Sequence, residues 1–317
     1  MAIVASSPGI LDSIGHTSLV KLQKLAPRTG ARVLAKLEWQ NPTGSMKDRT
    51  ALGLITRAEA DMRLKAGDTV IEYTGGSTGT SLALVCAAKG YAAHFVSANA
   101  FSQEKLDHMR AYGAKLTLVP HRREDGITSS LIDAMIAEAN RLASAPHTYW
   151  TDQLKNPDGI AGYFPLGEEI WEQTDGKVGA FVQGVGTACS LVGVATVLKR
   201  HNPKIKIVAV EPAESAVLSG GKAGAHDIEG IAIGRVPPLW NAGLVDEVLA
   251  VSTEEAKQMA RRLAAEEALF GGTSSGANVH AALRVAQHLG PQATVVTLMI
   301  DSGMKYLSTD VFVRASG

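Results

Sequence analysis

The stretch Thr69-Val-Ile-Glu-Tyr-Thr-Gly-Gly-Ser-Thr-Gly-Thr-Ser-Leu-Ala-Leu-Val-Cys86 runs a β-branched segment, Thr69–Tyr73, into a turn of small residues, Thr74–Ser81, and on into an apolar helix. Strand, glycine turn and helix in that order are the repeating unit of an α/β sheet. The unit recurs along the chain. Further strands are expected at Arg32–Glu38, His94–Ser97, Lys115–Val119, Ala180–Gln183, Ile205–Val210 and Thr294–Ile300. Helices are expected at Met46–Met62, Thr80–Lys89, Gln103–Tyr112, Ser129–Leu142, Phe164–Thr174, Ser190–Arg200, Glu254–Leu269 and Ala277–Leu289. Such alternation builds parallel sheets covered on both faces, so the fold class is α/β.

Length and charge narrow the field. A chain of 317 residues suggests about two domains. The stretch Ser144–Trp150, followed by Asn156-Pro-Asp-Gly159, reads as the crossing between them. Lys+Arg and Asp+Glu are both 31, so a neutral chain offers no electrostatic footprint for nucleic acid or an anionic membrane. No apolar run reaches the roughly 20 residues that span a bilayer, and the N-terminal residues lack a secretory pattern. Cys86 and Cys189 sit in apolar contexts and read as reduced core thiols of a cytoplasmic protein. The nine histidines show no short metal-ligand spacing, so no local metal motif is expected. The 32 glycines point to tight strand-to-helix turns.

Four turns could carry chemistry. In Asn41-Pro-Thr-Gly-Ser-Met-Lys-Asp-Arg49, Lys47 falls in a first helical turn, where the helix dipole disfavours a cation. It is either a solvated lysine paired with Asp48 or Glu38, or an amine with a task. The turn Thr74–Ser81 turns backbone N–H groups and hydroxyls outward at a helix start, which suits a carboxylate or phosphate. It also spells Gly75-x-Ser77-x-Gly79, an esterase elbow pattern. A serine hydrolase would combine Ser77 with Asp246 and with His280 or His288. The turn Gly184-Val-Gly-Thr-Ala-Cys-Ser190 begins like a dinucleotide fingerprint, with Glu211 near the place of a ribose-binding acid. Cys189 replaces its third glycine, which leaves the anion cradle as the stronger reading. The last turn is Phe270-Gly-Gly-Thr-Ser-Ser-Gly-Ala-Asn278. Together the four suggest a ligand that is anionic in more than one place.

In this order the motifs resemble the fold type II pyridoxal phosphate (PLP) enzymes, specifically the cysteine synthase and cystathionine β-synthase family. The resemblance extends from Ile14-Gly-His-Thr-Ser-Leu-Val20 to Tyr306-Leu-Ser-Thr309. It implies two three-layer α/β/α domains with mostly parallel sheets, similar to tryptophan synthase β. One would be a smaller mobile domain of residues 41–147; the other, residues 1–40 and 148–317, would bind the cofactor phosphate. The resemblance makes Lys47 the Schiff-base lysine and the base for the substrate α-proton. It places Ser77, Gly184, Gly186, Thr187, Ala188, Cys189, Ser190 and Ser274 at the cofactor, with Ser274 on the pyridine nitrogen. Thr74, Gly75, Thr78, Gln153 and Gly230 would meet a small amino-acid substrate. The implied activity is β-elimination or β-replacement on an activated serine or cysteine, as in O-acetylserine plus sulfide giving cysteine and acetate. The alternatives are a cysteine desulfhydrase or β-lyase, another nucleophile, or a non-catalytic relative. A cytoplasmic homodimer is implied as well.

The departures from the family pattern fall at the site. The family's Thr-Ser-Gly-Asn-Thr-Gly is here Thr74-Gly75-Gly76-Ser77-Thr78-Gly79. A serine that offers its hydroxyl to the substrate has become Gly75, and an asparagine that contacts the cofactor 3′ oxygen has become Ser77. The phosphate loop Gly-Thr-Gly-Gly-Thr is Gly186-Thr-Ala-Cys-Ser190, and Ala232 stands where a glycine is usual. Any of these that needs a positive φ is expected to be strained.

Overall fold

The computed structural model describes residues 9–27, 29–121 and 128–312; the N-terminal stretch read for a secretory pattern lies outside them apart from Gly9. Ten strands occur among the described residues: β1 (Leu19–Lys21), β2 (Arg32–Leu37), β3 (Thr69–Tyr73), β4 (Ala92–Ala98), β5 (Lys115–Val119), β6 (Thr148–Trp150), β7 (Ala180–Gly184), β8 (Lys206–Pro212), β9 (Glu247–Val251) and β10 (Thr294–Met299). The helices are α1 (Lys47–Ala60), α2 (Ser77–Lys89), α3 (Gln103–Ala111), α4 (Ser129–Ala143), α5 (Asp158–Ala161), α6 (Phe164–Gln173), α7 (Cys189–His201), α8 (Thr253–Glu267) and α9 (Thr273–His288). None is long and apolar enough to cross a membrane.

The strands form a six-stranded sheet, β1-β2-β10-β7-β8-β9, and a four-stranded sheet, β5-β4-β3-β6. Every pairing is parallel except β1 with β2. Helices cover both faces of each sheet. Met259 and Leu263 of α8 and Val279 and Val285 of α9 pack on one face of the larger sheet. Leu166 and Ile170 of α6 and Leu191 and Val194 of α7 pack on the other. Around the smaller sheet, Ile55, Leu82 and Met109 from α1, α2 and α3 oppose Leu131 and Met135 from α4. Central strands such as β7 and β10 are buried along their whole length, which is why they read as continuous apolar runs.

Several elements differ from the sequence reading. Thr148–Trp150, read as part of the crossing, is the fourth strand of the smaller sheet, in register with Thr69–Ile71. With β1 it has only three residues, too few to show a period, and β9 is a half-buried edge strand. Helix α2 starts at Ser77, not Thr80, and α9 at Thr273, not Ala277. Both turns pass directly into helix, so more of their small residues are helical than the apolar pattern shows.

A buried charge cluster joins α1 to the larger sheet. The Arg49 guanidinium lies 2.7 Å from Glu38 and 2.7 Å from Glu169, and Lys36 lies 2.6 Å from Glu169. Burial alone would raise the Glu169 pKa, but Arg49 and Lys36 outweigh it and hold the carboxyl down to about 2. A carboxyl depressed on folding adds stability that is complete above its unfolded pKa and is lost as pH falls from 4.5 towards 2. The shift corresponds to about 3 kcal/mol. Glu169→Gln is therefore expected to cost about 3–5 kcal/mol at neutral pH, since it leaves two buried cations short of a partner. Denaturant titrations should also show that the variant loses less further stability than the parent on acidification through this window.

Candidate active site

The loop before Lys47 is fastened to the carboxyl end of β10. Met46 N–H donates to the Ile300 carbonyl at 2.9 Å, and Ser45 forms a bridge with Asp301. Lys47 is then the first residue of α1. Its two candidate ion-pair partners are committed elsewhere. Asp48 accepts the Thr43 N–H at 2.8 Å and hydroxyl at 2.6 Å, and Glu38 is held by Arg49. Among the described residues the Lys47 amine makes no hydrogen bond or ion pair, so the paired-lysine reading fails. Burial lowers its pKa, opposed by the nearby Cys189 and Asp301.

The adjacent strand β7 leads into the turn Gly184–Ser190. Asn278, one helical turn beyond Ser274 on α9, accepts the Gly184 N–H at 2.7 Å. Its amide donates to Gln183 Oε1 at 2.7 Å and to the Leu298 carbonyl at 2.9 Å. Gln183 in turn donates to Ser190 Oγ at 3.1 Å. The cap of the 13-residue helix α7 is Ala188, at φ +71°, and Ala232 sits at φ +53°. The strain expected for these alanines is present. The two loops interlock: Ala232 N–H donates to the Val185 carbonyl at 2.8 Å, and a Cβ on Gly186 would lie 2.5 Å from the Gly230 carbonyl oxygen.

Ser274 is the second residue of α9; its hydroxyl is buried and has no hydrogen-bond partner. Such a group costs about 1–3 kcal/mol when left unpaired, so it is suited to a heteroatom supplied by a ligand. The start of α7 supplies backbone N–H groups for an anion. A free, half-buried amine, an orphaned hydroxyl and an anion cradle, all at the carboxyl ends of neighbouring strands, fit PLP.

The smaller sheet contributes the turn after β3. Thr74 Oγ1 accepts the Gly76 and Gly79 N–H groups at 3.0 Å each, which caps α2. Thr78 donates to Gln153 Oε1 at 2.8 Å, and Gln153 Nε2 donates to the Tyr73 carbonyl at 2.8 Å. The Gln153 N–H reaches Glu72, whose pKa burial raises to about 7. The Gln153 carbonyl lies 3.9 Å from Cys189 Sγ, so the turns of the two sheets meet there. Ser77, the first residue of α2, instead opens onto a cavity of about 430 Å³ that it shares with Trp39, Lys105, His108 and Lys305.

Two other readings do not survive. Asp246 holds Lys199, His280 faces Glu255 and His288 bonds the Arg284 carbonyl, so the acid and histidines expected for a hydrolase are engaged away from Ser77. Glu211 accepts the Leu218 and Ser219 N–H groups and so caps its own loop, away from any ribose role. The sequence reading missed Gln183, Glu72 and the anchoring role of Asn278. Their signal was present: each is a polar residue inside an apolar run.

This combination of two mostly parallel sheets and a lysine–cradle–hydroxyl site defines a PLP-dependent enzyme of fold type II. A family described as "Pyridoxal-phosphate dependent enzyme" matches residues 10–301. Cysteine synthase from Staphylococcus aureus is 41% identical over 305 residues, 96% of each chain. The structure of cysteine synthase from Entamoeba histolytica has a TM-score of 0.90 at 36% identity, covering 100% of this chain and 96% of its own. That of O-ureido-L-serine synthase has a TM-score of 0.89 at 36% identity, covering 97% and 96%. The chain belongs to the cysteine synthase family, and its cofactor is PLP.

The strained alanines generate a prediction. The left-handed region costs a non-glycine residue about 1–2 kcal/mol, while glycine adds about 0.5–1 kcal/mol of chain entropy to be lost. Ala188→Gly and Ala232→Gly are each expected to stabilise the fold by about 0–1.5 kcal/mol on these figures. A clear destabilisation in denaturant titrations would refute the strain account.

Proposed function

We propose that the chain makes cysteine from O-acetylserine and sulfide by β-replacement, with acetate leaving. The observation that carries this reading is the half-buried, unpartnered amine of Lys47 where the turns of both sheets converge. When bound, PLP supplies an electron sink for the substrate α-carbon. Lys47 Nζ would hold the cofactor and take the proton from that α-carbon; burial favours the neutral amine that both tasks need. Backbone N–H groups from Gly186, Ala188, Cys189 and Ser190, with the Thr187 and Ser190 hydroxyls, hold the phosphate, and Gly184 leads the chain into that cradle. The unpartnered Ser274 hydroxyl would take the ring nitrogen as its hydrogen-bond partner, a neutral group there favouring loss of the β-substituent over transamination. Thr74, Thr78 and Gln153, with the Gly75 N–H, hold the substrate carboxylate. Gly230 would close the opposite side, and Ser77, which opens onto the cavity, would be too short to meet the 3′ oxygen without a water.

A second reading is replacement by another nucleophile, or net elimination from cysteine. It is favoured by Gly75, where the family pattern has a hydroxyl, and by the likeness to O-ureido-L-serine synthase. The reading also brings a cytoplasmic homodimer, and a smaller mobile unit of residues 41–147 extended by β6.

Borohydride reduction of the PLP-loaded protein is expected to fix pyridoxyl label on Lys47. Lys47→Ala should lose that label and about 10²- to 10⁴-fold in turnover of O-acetylserine with sulfide. Label on another lysine would overturn the assignment. Pyruvate as the sole product in the presence of sulfide would replace synthesis by elimination.

A further inference from the structure

Phe101, Lys105 and Met109 follow one another at four-residue spacing and rest on the glycines of the turn after β3. A Cβ at Gly79 would lie 2.4 Å from Met109 Sδ, and one at Gly76 would lie 2.5 Å from Lys105 Cδ. One at Gly75 would come within 2.7, 3.1 and 3.2 Å of three ring carbons of Phe101. Gly76 adopts φ +139° and needs glycine for its backbone as well, but Gly75 is not among the residues of positive φ. Packing against the ring is therefore the constraint that keeps position 75 a glycine.

The ring itself is held in place. Phe101 packs against the cluster of Ile71, Tyr73 and Val96, which also receives Ile233 from the loop of the larger half. Ion pairs of Lys105 with Glu229 and of Asp133 with Arg235 bracket that loop.

We propose that Phe101 determines substrate specificity. Its ring fills the space that a Cβ at position 75 would enter, so the turn assigned to the substrate carboxylate is flanked by an aromatic ring where the family pattern has a hydrogen-bond donor. The amino acid is held with one donor fewer, and a β-substituent bearing an apolar or aryl group gains a surface to pack on. The co-substrate class is then organic thiols with such a group, accepted alongside hydrosulfide. A thiol RSH and O-acetylserine give S-substituted cysteine and acetic acid: the C–S bond forms, the C–O bond breaks and the thiol proton leaves with acetate. This inference rests on the β-replacement reading.

The test compares PLP-loaded wild type with Gly75→Ser, Phe101→Ala, Phe101→Leu and the double variant Gly75→Ser/Phe101→Ala. Phe101→Leu keeps apolar bulk in case the alanine variant folds poorly. In melting experiments Gly75→Ser should be destabilised alone and largely rescued in the double variant. The double variant should lower KM for O-acetylserine about 2- to 10-fold, the worth of one hydrogen bond, with kcat little changed. Both single replacements of Phe101 should reduce the preference for phenylmethanethiol over sulfide about 2- to 10-fold, the range measured for aromatic pairs. A Gly75→Ser protein with unchanged melting and KM overturns the proposal. So does rescue of melting with KM and thiol preference unmoved, because the pair is then only packing. If wild type forms neither cysteine nor S-benzylcysteine, the β-replacement reading fails on its own. Titration of the cofactor absorbance with O-acetylserine then decides the Phe101 role, and equal affinities across the variants overturn it.

Discussion

Arg49 divides its guanidinium between Glu38, at the end of β2, and Glu169, on α6. The fork places both carboxylates in fixed positions, and Lys36 supplies the second cation of a cluster that is neutral overall. Lys47 lies two residues upstream on the same helical turn, so the cluster fixes the direction in which the Lys47 amine leaves the backbone. The opening motif Ile14–Val20 belongs to this arrangement. Thr17 donates its hydroxyl to Glu38, and a Cβ at Gly15 would lie 3.1 Å from both Arg49 Nη1 and Glu169 Oε1. Gly15, at φ +98°, lets the chain pass over the charged cluster. What looks in the sequence like an N-terminal signature of the family is thus the cover of an ion cluster that orients α1.

The same cluster accounts for the chemistry of Lys47 by subtraction. A first-turn lysine should find an acid, yet the two nearest in sequence, Asp48 and Glu38, are taken up by Thr43 and Arg49. Burial and the positive end of the α1 dipole then act on an amine with no direct partner, and both favour its neutral form. The arrangement is unfavourable as a structural lysine and favourable for one that must react with a carbonyl group.

Strand–turn–helix units are local, so the sequence made the α/β class, the four turns and Lys47 legible: a glycine turn between a β-branched run and an apolar helix needs no distant partner to be read. Edge strands β1 and β9 and the short β6 were not legible, because pairing with a neighbour defines them more than side-chain pattern does. Contacts across long sequence separation were equally silent. Gly75 and Phe101, Gly184 and Asn278, or Thr78 and Gln153 become pairs only when the turns of two sheets are brought face to face. The orphaned hydroxyl of Ser274 belongs to the same class, since the resemblance supplies its role but only the structure shows that no protein group competes for it.

The departures from the family pattern bear on whether the site has decayed. A site drifting without function would accumulate substitutions independently of their surroundings. Here several departures keep the local geometry of their surroundings. Gly75 lies under the Phe101 ring, and Ala188 and Ala232 occupy left-handed positions in two loops that interlock. Cys189 packs where Gly159 leaves room, since a Cβ there would stand 3.1 Å from its sulfur. Ala188 and Ala232 retain the backbone conformation that glycine would adopt, at a cost in strain, so the cradle geometry is kept while the side chains change. Substitutions that leave the lysine, the cradle and the orphaned hydroxyl intact fit a working PLP-dependent enzyme, and they weaken the reading of the chain as a fold without catalysis.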